Sequence, residues 1–369
     1  MRMLIGPCVT MALILMAATA QAHWPGQPAH QMAYLGDLQL EDGGVIQNFR
    51  MSYVTHGTLN AAKDNAILFL HRFAANHHQP DHLIGPGRPL DTDKYFIICT
   101  DELGNPQTTF EHSTSPSNSG LKMSFPQYKG RDRVKAEYRL VTEALGIRHL
   151  LAVTGISSGG SHAIQLAVSY PDFVDGFVPI AGGAGWTTHA FFRGRLMLSI
   201  IESCAGWEAG NYDENPKGCA ANALSVLVPY FYTRDWWDQY VDTPETYSRW
   251  RNTWGDYYLD VQDARDLYYR IVAGFFRGGV GETPGFNGDL DAALRSTKAK
   301  VLFLASPRDQ FIAPQYIERQ VRAIPNAQAI WIDSVAGHLI CCNADPNATR
   351  VLGEAVRAFL KELGSARGK

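Results

Sequence analysis

The chain has 369 residues, 46% apolar and 19% charged, with 17 Phe, 16 Tyr and 8 Trp. That is enough apolar material for a large core and exceeds the roughly 250–300 residues at which single cores stop growing, so a lone small module and a mainly disordered chain are both excluded. A formal net charge of −3, with no long basic run, provides no footprint for a phosphate backbone and argues against nucleic acid as a partner.

Residues 1–22 open with Arg2, continue with an apolar stretch from Met3 to Ala18 broken by Gly6 and Pro7, and end on Ala20-Gln21-Ala22. This is the pattern of a secretory signal peptide cleaved before His23. The unbroken apolar part falls short of the roughly 20 residues a membrane span needs. No later segment reaches that length, so the mature chain is expected to have no membrane span and to be periplasmic or secreted.

From about residue 38 short apolar runs alternate with helical patterns. Val45–Thr55 reads as strands, and Ala66–Leu70, Tyr95–Thr100 and Leu150–Val153 are runs apolar throughout, as in strands covered on both faces. Arg131–Leu145 places Val134, Tyr138, Val141 and Leu145 at helical spacing and stops at Gly146. A helix over Ser161–Tyr170 and a strand over Phe177–Ala181 follow. After a long pause come a strand at Val301–Ala305, a helix at Pro314–Ala323, a strand at Ala329–Asp333 and a helix at Thr349–Leu363. This order predicts an α/β fold with a mostly parallel sheet flanked by helices. The pause, residues 183–297, carries Trp186, Trp207, Trp236, Trp237, Trp250 and Trp254 and reads as an inserted helical lid. The division expected is therefore 1–22 signal peptide, 23–182 with 298–369 as the core, and 183–297 as the lid.

With Cys8 removed alongside the signal, five cysteines remain: Cys99, Cys204, Cys219, Cys341 and Cys342. An odd count leaves at least one unpaired. Cys99 ends an apolar run and reads as a small buried hydrophobe. Cys204 and Cys219 flank a polar loop and are the best disulfide candidates; the alternatives are two free thiols there, or a strained bridge between the adjacent Cys341 and Cys342.

The chemistry is carried by Gly155-Ile156-Ser157-Ser158-Gly159-Gly160, which follows the strand at Leu150–Val153 and opens a helix. G-x-S-x-G in that context is a nucleophile elbow, with Ser157 as the nucleophile. A serine hydroxyl needs a histidine to take its proton and a carboxylate to hold that histidine in the right tautomer. Asp309, in the loop after Val301–Ala305, and His338, after the last strand, follow in the order Ser, acid, His. Asp333 is the rival acid. Two backbone donors complete the site as an oxyanion hole, assigned to the amides of Ser158 and Phe73, the latter in His71-Arg72-Phe73-Ala74. His77, His78 and His82 cluster in one loop without the carboxylate–histidine pattern of a zinc site, so no metal is assigned. No G-x-G-x-x-G follows the first strand and no P-loop is present, so no cofactor is expected.

Taken together these motifs resemble the homoserine O-acetyltransferase-like branch of the α/β-hydrolase superfamily over roughly residues 45–183 and 298–363. The resemblance is carried by Tyr53-Val54-Thr55-His56-Gly57-Thr58-Leu59-Asn60, the strand ending in His71, Asp101-Glu102-Leu103-Gly104, Ser115-Pro116-Ser117, Phe125-Pro126 with Arg131-Asp132-Arg133-Val134, the Ser157 elbow, Asp309 and Gly337-His338. It implies a helical lid, a serine–aspartate–histidine triad and a homodimer formed through the lid. The chain departs from the branch at two places. Acetyltransferases carry Gly-Gly-Ser-Met-Gly-Gly at the elbow and His-Ala-Leu-Thr-Gly at the oxyanion loop, where this chain has Gly155-Ile156-Ser157-Ser158-Gly159-Gly160 and His71-Arg72-Phe73-Ala74-Ala75. The lid arginine that holds the homoserine carboxylate has loose counterparts in Arg193 and Arg195. The function expected is an exported serine hydrolase cleaving an ester, thioester or lactone of a small-molecule substrate through an acyl-enzyme. The alternatives are an acyltransferase on the same triad and a non-catalytic binding module on a hydrolase fold.

Overall fold

The computed structural model describes residues 27–105, 112–185, 187–252 and 261–367. The proposed signal peptide, Trp186 and Trp254 lie outside the described residues. At the centre is an eight-stranded sheet: β1 (Gln31–Tyr34), β4 (Arg50–His56), β5 (Ala66–Leu70), β6 (Phe96–Thr100), β7 (Leu150–Ile156), β8 (Val174–Ile180), β9 (Lys300–Ala305) and β10 (Ala327–Trp331). Their spatial order is β1-β4-β6-β5-β7-β8-β9-β10, and a small hairpin of β2 (Leu38–Gln39) and β3 (Val45–Ile46) stands apart. β1 and β4 pair antiparallel at one edge. From β6 to β10 every pairing is parallel.

β5 and β7 are buried along their whole length, as two-sided coverage of a parallel sheet requires. One face is covered by α1 (Gly130–Arg139) and α2 (Ser158–Ser169), which bury Val134, Ala136, Ala163, Ile164 and Ala167 against Leu68, Val153 and Phe177. The opposite face is covered by the carboxyl-terminal helix, Pro346–Arg367, through Leu352, Val356, Phe359, Leu360 and Leu363. Those positions recur at helical spacing, so one stripe meets the sheet. A Cβ on Gly176 of β8 would come within 2.6 Å of Leu363, which explains a glycine in the middle of a strand.

Between β8 and β9 the described residues form helices joined by turns and loops, with no β-strand among them. α3 (Thr188–Glu202), α4 (Cys219–Leu224), α5 (Arg234–Tyr240), α6 (Pro244–Trp250), α7 (Ala264–Phe275) and α8 (Leu290–Arg295) lie there. α3, α4 and α7 share a core of Met197, Leu198, Ile201, Leu224, Leu267 and Ile271. Thr187 caps α3 by accepting from the Ala190 amide, and Asp263 caps α7 by accepting from Arg265 and Asp266. Cys204 and Cys219 form a disulfide with Cα atoms 5.8 Å apart. The bridge closes a loop across the start of α4, a size worth about 3 kcal/mol in the chain-entropy account.

The sequence reading missed one strand and misplaced several element ends. β1 precedes residue 38 and carried no alternation strong enough to be seen. The last strand lies at Ala327–Trp331, ahead of the expected Ala329–Asp333. α2 starts at Ser158, because the elbow turns directly into the helix despite Gly159 and Gly160.

Candidate active site

The elbow is a local consequence of its small residues. Ser157 sits at φ 54°, a left-handed conformation that costs a non-glycine residue about 1–3 kcal/mol. The surrounding packing holds it there: the Ser157 amide donates to the Ile180 carbonyl at 2.8 Å, and its carbonyl accepts from Ser161 at 3.1 Å. Any Cβ on Gly155 would collide with the Gly159 backbone, and one on Gly159 with the Leu70 backbone. The glycines thus let α2 start against β5 and β7, with the Ser157 hydroxyl at the carboxyl end of the sheet.

His338 Nε2 lies 2.8 Å from the Ser157 hydroxyl, and its Nδ1 lies 2.8 Å from Asp309 Oδ2. All three residues are buried. The other carboxylate oxygen of Asp309 accepts from the amides of Phe311 and Ile312 at 2.7 and 2.9 Å, which locks the acid's orientation. The Phe311 ring stacks on the imidazole at 4.6 Å. The His338 turn is also tied to the inserted segment. Its amide donates to the Phe231 carbonyl at 3.0 Å, and the Thr233 hydroxyl donates to the Val335 carbonyl at 2.8 Å. Asp333 points away: it is 65% exposed and pairs with Arg308 at 2.5 Å.

Phe73 and Ser158 line a cavity that opens at Ser157, and Phe73 also lines a second, apolar cavity with Leu224, Leu227, Phe231 and His338. Among the described residues, neither the Phe73 nor the Ser158 amide donates to a backbone carbonyl outside its own element. The Phe73 ring is held edge-on by Phe275 at 5.9 Å, with the Arg270 guanidinium 5.6 Å from its centroid.

The two arginines singled out in the sequence part company. Arg193 lines the larger cavity and is 4% exposed. Its guanidinium lies 4.2 Å over Phe311 and donates to the Phe311 carbonyl at 3.1 Å. Among the described residues its Nε and Nη1 atoms have no hydrogen-bond partner, and burial lowers its pKa. Arg195 corrects the expectation: one helical turn cannot aim both side chains inward, and Arg195 faces outward, 59% exposed and paired with Glu202 at 2.5 Å. Of the three histidines, His77 and His78 pack edge to face with ring centroids 4.6 Å apart, and only His82 turns elsewhere. His77 faces Asp101 at 3.5 Å, His78 faces Asp81 at 3.1 Å, and His82 donates to the Cys341 carbonyl at 2.7 Å.

Below the cavity lies a buried charge cluster that the sequence reading did not assemble. Glu102 pairs with Arg270 at 2.7 Å, with Arg133, and with His162 at 3.3 Å. Asp101 accepts from Asn105 at 2.6 Å and faces His112 at 3.1 Å. Arg270 comes from α7 and Glu102 from the loop after β6, so the cluster joins the inserted segment to the core. The available signal was Arg270 in α7, three residues from both Leu267 and Ala273 on a buried face.

Glu137 of α1 belongs to the same interior. Burial pushes its pKa up from 4.5 to about 8, against the hydrogen bond from Thr100 and the charge of Arg133. Between those two values the folded chain keeps a proton that the unfolded chain has lost. Stability therefore falls as pH rises across that window, by roughly 1.4 kcal/mol per pH unit from this group. Glu137→Gln, which keeps an acceptor for Thr100, is expected to flatten the decline. Denaturation midpoints of both proteins from pH 5 to 8 check this, and parallel curves mean that Glu137 is ionised in the fold.

A sequence profile for the α/β hydrolase fold matches residues 65–344. The chain belongs to the α/β-hydrolase superfamily. A probable esterase of Corynebacterium glutamicum is 30% identical over 346 residues, covering 87% of this chain and 93% of that one. A homoserine O-acetyltransferase of Nautilia profundicola is 31% identical over 256 residues, covering 62% and 68%. Among solved structures, an acetylester hydrolase from Corynebacterium glutamicum superposes with a TM-score of 0.82 at 28% identity, covering 90% of this chain and 96% of that one. These relatives place the α/β hydrolase in the homoserine O-acetyltransferase-like branch, as a serine-dependent enzyme of acyl-ester chemistry in which hydrolases and acyltransferases are both represented.

Proposed function

We propose that this α/β hydrolase is an exported esterase that cleaves small acyl esters through an acyl-enzyme on Ser157. The observation that carries the reading is the continuous chain from the Ser157 hydroxyl through His338 to Asp309, at 2.8 Å for each link, opening onto cavities. Ser157 Oγ attacks the ester carbonyl while His338 Nε2 takes its proton, and Asp309 stabilises the imidazolium. The amides of Phe73 and Ser158 stabilise the oxyanion. His338 then protonates the departing alkoxide, and water repeats the sequence on the acyl-enzyme. Helices of residues 183–297 serve as the lid over the reacting carbonyl. Acetyl esters are the first substrates to assay, because the superposed Corynebacterium protein is an acetylester hydrolase.

The second reading, acyl transfer to an alcohol, is favoured by one observation: among the described residues buried Arg193 has no carboxylate paired with it, and it lines the cavity, where an acceptor's carboxylate would fit. Export weighs against it, since an exported enzyme rarely meets acetyl-CoA while water is always available. The signal pattern of residues 1–22 supports export, and the Cys204–Cys219 disulfide suits an oxidising compartment. A single preparation decides both points. Protein recovered from outside the cytoplasm is sequenced from its amino terminus and assayed with an acetyl ester, with and without homoserine. A start near His23 and free acetate formed at a rate indifferent to homoserine are expected. An intact Met1, or acetylhomoserine as the main product, overturns the reading.

A further inference from the structure

Directly after the turn that carries His338 stand two adjacent cysteines that the triad does not use. Cys341 is buried and Cys342 is partly exposed, and their sulfurs are 2.7 Å apart, against about 2.05 Å in a disulfide bond. Neighbouring side chains in an extended chain point to opposite faces, so bringing both sulfurs to one side requires a turn. That turn is held by the Leu339 amide on the Ala336 carbonyl at 2.9 Å and the Cys342 amide on the Leu339 carbonyl at 3.1 Å. His82 donates to the Cys341 carbonyl at 2.7 Å. Ala336 and Leu339 bracket Gly337 and His338, so the sulfurs and the imidazole share one small piece of backbone.

The two thiols are not equivalent. The hydrogen bond with Cys342, and then burial, push the Cys341 pKa up. The same bond lowers that of Cys342 against the effect of burial, with the Arg72 guanidinium adding to the lowering. Cys341 therefore keeps its proton and donates it toward the Cys342 sulfur, and the more accessible sulfur is the better nucleophile. Arg72 lies in the loop that supplies the Phe73 amide, so the pair sits between the histidine turn and the oxyanion loop.

We propose that Cys341 and Cys342 are a reversible oxidation site, closed by a low-molecular-weight disulfide into an eight-membered ring that shifts the His338 turn and slows the enzyme. The Cys342 thiolate attacks one sulfur of the oxidant, forming a mixed disulfide and expelling one thiolate. The Cys341 sulfur gives up its proton, attacks the Cys342 sulfur and expels the second. The protein loses two electrons and two protons, which leave as two molecules of thiol. Closing the gap from 2.7 Å rotates the peptide between the cysteines, and the Cys342 amide bond transmits that rotation to the turn. A displacement of about 1 Å at a reacting group costs on the order of a hundredfold in rate. Ring strain makes the bond easily reduced again.

The full mature chain, treated with oxidised glutathione, tests this. Alkylation and peptide mapping read the sulfurs whether or not the esterase reading holds, while acetyl ester turnover and the rate of fluorophosphonate labelling at Ser157 read the turn. Expected are loss of alkylation at both positions with the link inside one peptide, and a fall of roughly 10- to 100-fold in both rates, reversed by dithiothreitol. Cys342→Ser retains the Cys204–Cys219 bridge and the basal rate, and should not respond to either reagent. Thiols that stay alkylatable, a persistent mixed disulfide without a ring, or a ring that leaves both rates unchanged overturns the proposal. An equal response from Cys342→Ser also overturns it, because the effect then lies at another cysteine, Cys99, Cys341 or the Cys204–Cys219 bridge.

Discussion

Ser157→Ala is expected to lower turnover of an acetyl ester by about six orders of magnitude, leaving only what the oxyanion donors and binding contribute over water. Nothing else at the elbow can replace the lost nucleophile, since Ser158 starts α2 while Ser157 alone faces His338 Nε2 at 2.8 Å. The fold should persist. Alanine tolerates φ 54° no worse than serine, and the amide bond to Ile180 does not involve the side chain, so stability should move by less than about 1 kcal/mol. Steady-state turnover with a thermal melt beside it separates the two effects. Turnover retained in the variant, or fluorophosphonate found on Ser158, removes Ser157 from the mechanism.

Asp309→Asn tests the other end of the chain. The asparagine oxygen would keep the amides of Phe311 and Ile312, which turns its amino group toward His338 Nδ1. That nitrogen must then accept, placing the imidazole proton on Nε2, where it cannot receive the serine's. A loss of roughly four orders of magnitude in rate follows from the wrong tautomer. Asp333→Asn, by contrast, disturbs only an exposed pair with Arg308, worth about 0–1 kcal/mol, and should leave the rate nearly intact. If the Asp333 variant proves the slower enzyme, the acid has been misassigned.

The meeting of Ser157, His338 and Asp309 was legible because each occupies a strand end, and strand ends can be read from short apolar runs. Ser157, Asp309 and His338 follow β7, β9 and β10, and parallel pairing puts those ends on one edge of the sheet. Asp309 was preferred over the sequence-adjacent Asp333 because Asp333 falls at its strand end one turn too early, and in the structure Asp333 pairs with Arg308 instead. What could not be read depended on direction around a helix. Arg193 and Arg195 lie two residues apart, about 200° around α3, so one enters the cavity and the other leaves the protein. The Glu102, Arg133, Arg270 and His162 cluster was hidden for a related reason. Its members come from four separate elements, and no spacing along the chain announces a meeting between α7 and the loop after β6.

The bonds from Phe231 and Thr233 to the His338 turn bear on how a substrate gets in. A cover that swung away as one rigid plate would drag the general base off its serine each time it opened. Access must instead come from side chains and short stretches yielding around the cavity mouth, while Phe231 and Thr233 stay in place. In the proposed lid the inserted helices are therefore scaffold as much as cover, and trimming them to widen the pocket would have to spare the stretch from Phe231 to Thr233.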